Sequence, residues 1–353
     1  AEVIAAAAAA AALAYEQRAT RGRLEKRLIA HTRILYRRDN LAGPLPFREM
    51  QSLGLPYERY QLAITAGPAA QTYGGRVSDA ILVDEGRFVH SEGDADWWIP
   101  GGQVFLSPDP GDTPARELAH AQAHFFLPHR ARNPFHGAPD PTEAFVRYDR
   151  YDLLVEETRD ALANRLTVGE RALDPLQPLV RGGQNYRVLQ PEIMMDANRN
   201  RMAGAFDTLG MVVATAVMGK PEDAPRQGDL LTGFSADLTD AALLAQSRDP
   251  LADQYALLGR ASTRVIYDLF GYERTRTLAR PQPAAVHTLA RETHDAELHD
   301  TARPVIKHNF SYSDGSGREI QRKAQAEAGP VPVRDPPTGR IVVANGRPVE
   351  TAA

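Results

Sequence analysis

His120 and His124 stand four residues apart, with Glu117 just before them and His129 just after. On a helix that spacing puts both imidazoles on one face, where they could share a metal ion. The His-Glu-x-x-His order that supplies a metalloprotease with its general base is absent, and no third ligand is specified. Pro128 also interrupts the helix before His129. These histidines therefore read as packing or surface residues. A second polar group, His294, Asp295, Glu297, His299 and Asp300, has metal-binding side chains but reads as a solvated loop. A third, Glu92, Asp94 and Asp96, alternates just before Trp97 and Trp98. Paired carboxylates can do acid/base work or hold calcium. No calcium-loop pattern follows, so the segment reads as a turn, with Trp97 and Trp98 as core or interface anchors.

Phosphate and nucleophile motifs are missing. Gly219-Lys220 runs into Pro221, which denies the helix start that a phosphate-binding loop requires. Gly-x-Ser-x-Gly does not occur, and Ser316, between Gly315 and Gly317, reads as a turn residue rather than a nucleophile. No catalytic, cofactor-binding or metal-ligating residue is assigned, and the chain reads as non-enzymatic.

The elements that must position these residues follow from composition and pattern. The chain has 353 residues, 43% hydrophobic and 24% charged, enough for a packed core. Its net charge is −4 with no long basic run, which argues against a nucleic-acid partner. It has no Cys, so disulfides and cysteine zinc sites are excluded. The Ala-rich run 5–14 is too short to cross a bilayer, and no basic region precedes it, so neither membrane insertion nor a signal peptide is expected. The chain starts at Ala1 and stops at Ala353 after a strand-like stretch, and reads as part of a longer protein.

Three regions are expected. Residues 1–40 read as a helical N-terminal segment, from the Ala run and from Leu24, Leu28, Ile34 and Leu35 at near-helical spacing. Residues 41–140 read as a mixed α/β region. Its expected elements are a helix over 56–66, a hairpin of 81–83 and 87–89 around Asp84-Glu85-Gly86, and strands at 97–99 and 103–106. It also holds a helix from Pro114 capped by Thr113, and a loop over 127–140. Residues 141–353 read mostly as strands and turns, with helix over 236–259, a polar stretch at 291–303 and a loop at 329–340.

Within this last region a unit recurs. Tyr148-Asp149 leads into Tyr151-Asp152-Leu153-Leu154 and then Asp160 to Arg165. Asp196 to Arg201 leads into Phe206-Asp207, Gly210 and an apolar run, and Tyr312-Ser313-Asp314-Gly315-Ser316-Gly317 closes the series. The plan is an aromatic, an Asp, two variable residues, a Gly, then an apolar strand. The aromatic ends one strand, Asp folds the chain back through its own side chain, and Gly supplies a positive φ. Ala163 and Arg199 stand where the plan wants Gly. Each unit is one hairpin unable to bury its face alone, so units must stack.

This plan resembles the YD repeat, also called the RHS repeat. The runs Arg27 to His31 leading to Leu35-Tyr36-Arg37-Arg38-Asp39, His90 to Pro100, Tyr186 to Pro191, and Phe310 to Gln321 resemble the B component of insecticidal Tc toxin complexes. The resemblance covers residues 24–349. It implies a mainly β fold with helical insertions, 141–353 forming a segment of a curved antiparallel RHS/YD-repeat sheet in a shell wall. It further implies a secreted assembly in which the B component and a toxin C component enclose a toxic cargo. Delivery would run through a pore-forming A component, docked by a propeller outside this chain. Two other classes are weighed against it. One is a YD-repeat protein of cell-surface recognition or contact-dependent competition. The other is an enzyme fragment, an ADP-ribosyltransferase or a metal-dependent hydrolase, for which no motif is present.

Overall fold

The computed structural model describes residues 2–137, 141–174, 177, 179–299, 302–326 and 329–351. The chain is mainly β with short helices inserted, and its main strands pair antiparallel. It divides into two compact units, 1–168 and 169–353. Among the described residues no helix is long and apolar enough to cross a membrane.

The first unit begins with helix α1 (Glu2–Ala9) and two short parallel strands, β1 (Ala11–Leu13) and β2 (Glu25–Arg27). The helical segment expected over residues 1–40 is therefore confined to its Ala-rich start. Strand β1 follows it at once, and Leu24, Leu28 and Ile29 stay exposed, with no surface to bury a helical apolar face. Strands β3 (Thr32–Tyr36), β4 (Pro56–Ile64) and β5 (Trp97–Pro100) form an antiparallel sheet. β4 occupies the stretch expected to be helical over 56–66. Its tyrosines suit a half-buried pleated surface, and the helix comes only afterwards, as α2 (Ala66–Tyr73). The expected hairpin of 81–83 with 87–89 is also replaced. Ile81–Glu85 form one wide helical turn, closed by Gly86 N–H donating to the Ile81 carbonyl at 3.0 Å. Val89 pairs with Trp98 instead, because Gly86 keeps a negative φ that cannot make the tight turn.

The rest of the unit is a five-strand run. It comprises β6 (Gln103–Phe105), β7 (Arg130–Arg132), β8 (Glu143–Tyr148), β9 (Val155–Arg159) and β10 (Arg165–Thr167), each paired antiparallel with the next. Helix α3 (Pro114–Ala123) connects β6 to β7, and Thr113 caps it by accepting from Arg116 N–H at 3.4 Å. β7 lies inside the stretch expected to be a loop, its Arg130 and Arg132 both reaching Glu143 on β8. A small core of Leu41, Leu106 and Ala121 sits under α3.

The second unit opens with the short pairs β11 (Gly169–Arg171) with β12 (Leu179–Gly182), and β13 (Gln184–Asn185) with β14 (Gln190–Pro191). A seven-strand meander follows: β15 (Ile193–Met195), β16 (Arg201–Phe206), β17 (Val212–Met218), β18 (Thr263–Asp268), β19 (Ala284–Arg291), β20 (Ile306–Ser313) and β21 (Glu319–Ala324). Between β17 and β18 the chain leaves the sheet to form α4 (Asp240–Arg248) and α5 (Gln254–Leu258), inside the stretch expected to be helical. The short α6 (Gly271–Thr275) lies between β18 and β19. The core packs Leu231, Phe234 and Leu257 against Ala214, Leu258, Ile266, Leu289 and Ile306. Strand alternation supplies it, since Leu289 and His287, like Ile306 and His308, point to the same face two residues apart. Residues 331–351 add two more small hairpins.

Candidate functional site: aspartate turns and buried polar clusters

Five strand reversals share one turn, begun by Asp149, Asp160, Asp196, Asp207 and Asp314. In each, the backbone N–H four residues on donates to the Asp Oδ1: Leu153 at 2.8 Å, Asn164 at 2.9 Å, Asn200 at 2.8 Å, Met211 at 2.8 Å and Arg318 at 3.3 Å. The Asp N–H returns to a carbonyl across the turn, at Leu154, Asn164, Asn200, Met211 and Arg318. The residue three after the Asp takes a positive φ: Asp152 +55°, Ala163 +62°, Arg199 +72°, Gly210 +87° and Gly317 +81°. A carboxylate that accepts a backbone N–H closes the turn itself, and the left-handed residue reverses the chain. Hydrogen bonds to the Asn164 side chain and backbone hold the Asp160 carboxyl below its usual range. The Ser316 N–H does the same for Asp314.

The aromatics of the repeat stand beside these turns. Tyr148 ends β8, donates its hydroxyl to the Pro128 carbonyl at 3.2 Å and packs edge-on to His129 at 5.3 Å. Phe206 ends β16, half-buried, next to Asp207. Tyr312 lies on β20 next to Phe310. Gly315 takes φ +79° within the Asp314 turn. Ser316 donates its N–H to Asp314, an exposed turn residue.

Trp98 is 1% exposed. Its Nε1 donates to Asp94 Oδ1 at 3.0 Å, and the Arg33 guanidinium lies 3.9 Å from its ring centroid while pairing with Asp94 at 2.8 Å. Trp97 is less buried and donates to Asp79 Oδ1 at 2.7 Å. His90 bridges Asp79 and the Asp96 carbonyl, each at 3.0 Å, so both ring nitrogens face acceptors. The hydrogen bond that His90 makes to the Asp79 carboxylate raises the His90 pKa. Asp94 thus anchors an indole and a guanidinium, while Glu92 takes φ +61° in the turn.

The structure brings His120, His124 and His129 together, with ring centroids 4.2, 4.7 and 5.9 Å apart. His120 Nδ1 meets the Leu106 carbonyl and His124 Nδ1 meets Asp152, each at 2.9 Å. Burial lowers the His129 pKa, and charge on His120 and His124 lowers it further. Glu117 points elsewhere. It is buried, takes both Arg37 NH1 at 2.9 Å and NH2 at 2.5 Å, and accepts Leu106 N–H at 2.8 Å. Among the described residues no three His, Cys, Asp or Glu side chains are arranged to hold a metal ion.

Of the polar stretch 291–303, Asp300 lies outside the described residues, and His294 and Asp295 belong to a knot of ion pairs. Asp229, fully buried, accepts from Ser262, from His294 Nδ1 at 2.9 Å and from Asp295 N–H at 2.7 Å. Asp295 pairs with Arg226 at 2.7 Å and Arg260 at 2.8 Å. Burial pushes the Asp295 pKa up, but these guanidiniums outweigh it and leave it lowered. Sequence reasoning missed Asp229, Arg226 and Arg260, whose partners are far away in the chain.

It also missed a buried histidine relay. Gln246 on α4 donates to His287 Nδ1, His287 Nε2 meets His308 Nδ1 at 2.8 Å, and His308 Nε2 meets Gln254 Oε1 on α5 at 2.7 Å. The Gln254 oxygen only accepts, so each imidazole carries its proton on Nε2 and both are neutral. Burial pushes the His287 pKa down to about 4, with His308 adding to the effect. His287 also stacks on Phe310 at 4.1 Å, beside a cavity of about 870 Å³ bounded by α4, α6 and β18 to β20.

No protein family and no curated protein matches the sequence. The fold does have a match. A chain in the crystal structure of TcdB2-TccC3-Cdc42 superposes over 89% of this chain, with a TM-score of 0.55 and 15% identity. The fold is thus one found in a Tc toxin complex. This chain spans 15% of the length of that one.

Proposed function

We propose that this chain is a wall segment of a hollow β shell in a Tc-type toxin B component, with an architectural rather than a catalytic role. The shell, completed by a C component, encloses a toxic cargo that is delivered through a pore-forming A component, and the assembly is exported from the producing cell. What supports this reading is the seven-strand meander of 193–324, in a chain whose fold is similar to that of a toxin-complex chain. In such a meander each strand pairs with the next in sequence, so the sheet extends by addition without needing a distant partner. At β15–β16, β16–β17 and β20–β21, aspartate turns that carry their own hydrogen bonds let the hairpin form locally. The buried charged clusters each have a structural use, which leaves the wall surface as the working part.

Cryo-electron microscopy of the parent protein with its C component tests this. Residues 193–324 should appear as consecutive wall strands around a chamber, with the outer edge of β21 paired to a further strand. A compact domain outside any enclosed chamber would overturn the reading.

A further inference from the structure

We propose that the cavity between α4, α6 and the face of β18 to β20 is a binding site for a small aromatic anion. The proposal goes beyond the shell reading and does not depend on it. The cavity, about 870 Å³, is of ordinary ligand-pocket size. Its floor is a row of rings. His287 stacks on Phe310 at 4.1 Å and 9°, and Tyr312, two residues on, lies nearly parallel to Phe310 at 15° with centroids 6.4 Å apart. The relay keeps His287 neutral, so the floor offers aromatic surface without charge.

The mouth is cationic. The charged side chains lining it are Arg248, Arg274, Lys323 and Asp268, three positive and one negative, a balance of +2 in a chain of net charge −4. Arg274 is taken by Asp268 at 2.5 Å. Arg248 and Lys323 have no ion-pair partner among the described residues, and Lys323 Nζ stands 4.9 Å from the Tyr312 ring centroid. Asp268 keeps its second oxygen, Oδ1, buried and without a hydrogen-bond partner. That oxygen is closed off from the cavity, so Asp268 acts at the mouth only through its pair with Arg274. The complementary molecule has a flat ring for Phe310 and Tyr312 and an acidic group for Arg248 and Lys323.

The probe 8-anilinonaphthalene-1-sulfonate has both features, and N-phenyl-1-naphthylamine is its counterpart without the sulfonate. Both are titrated by fluorescence into the chain 1–353 and into the double variant Arg248→Glu/Lys323→Glu, whose positions are exposed and outside the core. The sulfonate should saturate at one per chain and bind the variant about tenfold more weakly, as expected for two reversed charges. The neutral amine should change by less than about twofold, since exposed charges act little on a neutral ligand. Histidine-ring NMR should show the sulfonate moving the His287 signals. Binding that does not saturate, equal affinity of the sulfonate for both proteins, or unmoved His287 signals overturns the proposal.

Discussion

In the first unit the buried polar group is kept charged. Arg37 and Glu117, both under a tenth exposed, form a two-pronged ion pair, and Leu41 and Leu106 backbone groups fill the remaining valences. In the second unit the core histidines are kept neutral, their four nitrogens used by two glutamines and by each other. The difference teaches what each can tolerate. A guanidinium cannot shed its charge, so it must be matched, whereas an imidazole can escape the cost of burial by giving up its proton. The core around Arg37 is the smaller of the two, three buried apolar residues against six, so it has less packing to fall back on.

The largest expected effect comes from breaking the match. Glu117→Ala leaves the Arg37 charge buried and should cost about 3–5 kcal/mol in urea unfolding. The joint replacement Arg37→Met/Glu117→Leu should cost much less. If the single and the double variants cost the same, the buried charge is not what matters.

The second contrast is in pH. His287 has a folded pKa of about 4, below its unfolded value, so between pH 6.5 and 4 the unfolded chain takes up a proton that the folded chain refuses. The His287 contribution to stability should therefore fall by about 3 kcal/mol across that window, while the carboxylates held low continue to lower stability at more acid pH. His90 has the opposite sign. Its pKa is raised by Asp79, so its contribution is full below its unfolded value and fades as pH rises through the folded one. Urea midpoints of wild type and His287→Gln over this range check the first, because only the wild type carries the slope assigned to His287. An NMR titration of His90 checks the second, and a midpoint below that of a free histidine would rule it out.

Smaller effects sharpen the comparison among turns. Asp207→Ala removes the acceptor of Met211 N–H and should cost about 1.5–3 kcal/mol. Gly210→Ala, at φ +87°, should cost about 1 kcal/mol, whereas Ala163→Gly, at φ +62°, should stabilise by up to about 1 kcal/mol. Arg199→Gly should not stabilise, because Arg199 also pairs with Glu222 at 2.9 Å and donates to the Ala172 carbonyl at 2.7 Å. A gain at position 199 equal to that at 163 would show those contacts to be idle.

Much of the fold was legible because its causes are local. The Thr113 cap needs only the N–H of Arg116, three residues on, and the strand at 97–99 announces itself by its tryptophans. Where the reading failed, the deciding partner was remote. Leucine spacing over 24–35 resembles a helix, but β3 is held by β4, whose Arg59 and Tyr60 face Ile34 and Arg33. Residues 81–85 close into one wide helical turn, and Val89 instead takes its partner from Trp98.

By itself the sequence determined the β-rich character, the aspartate turns and the lack of cysteine chemistry, since each rests on residue type and on contacts within a few positions. Only tertiary structure decided that His120, His124 and His129 meet, that Glu117 serves Arg37, and that His287, His308, Gln246 and Gln254 form one relay. Those groups are brought together by strand register and helix docking, and a hydrogen bond between residues far apart leaves no spacing in the sequence to read.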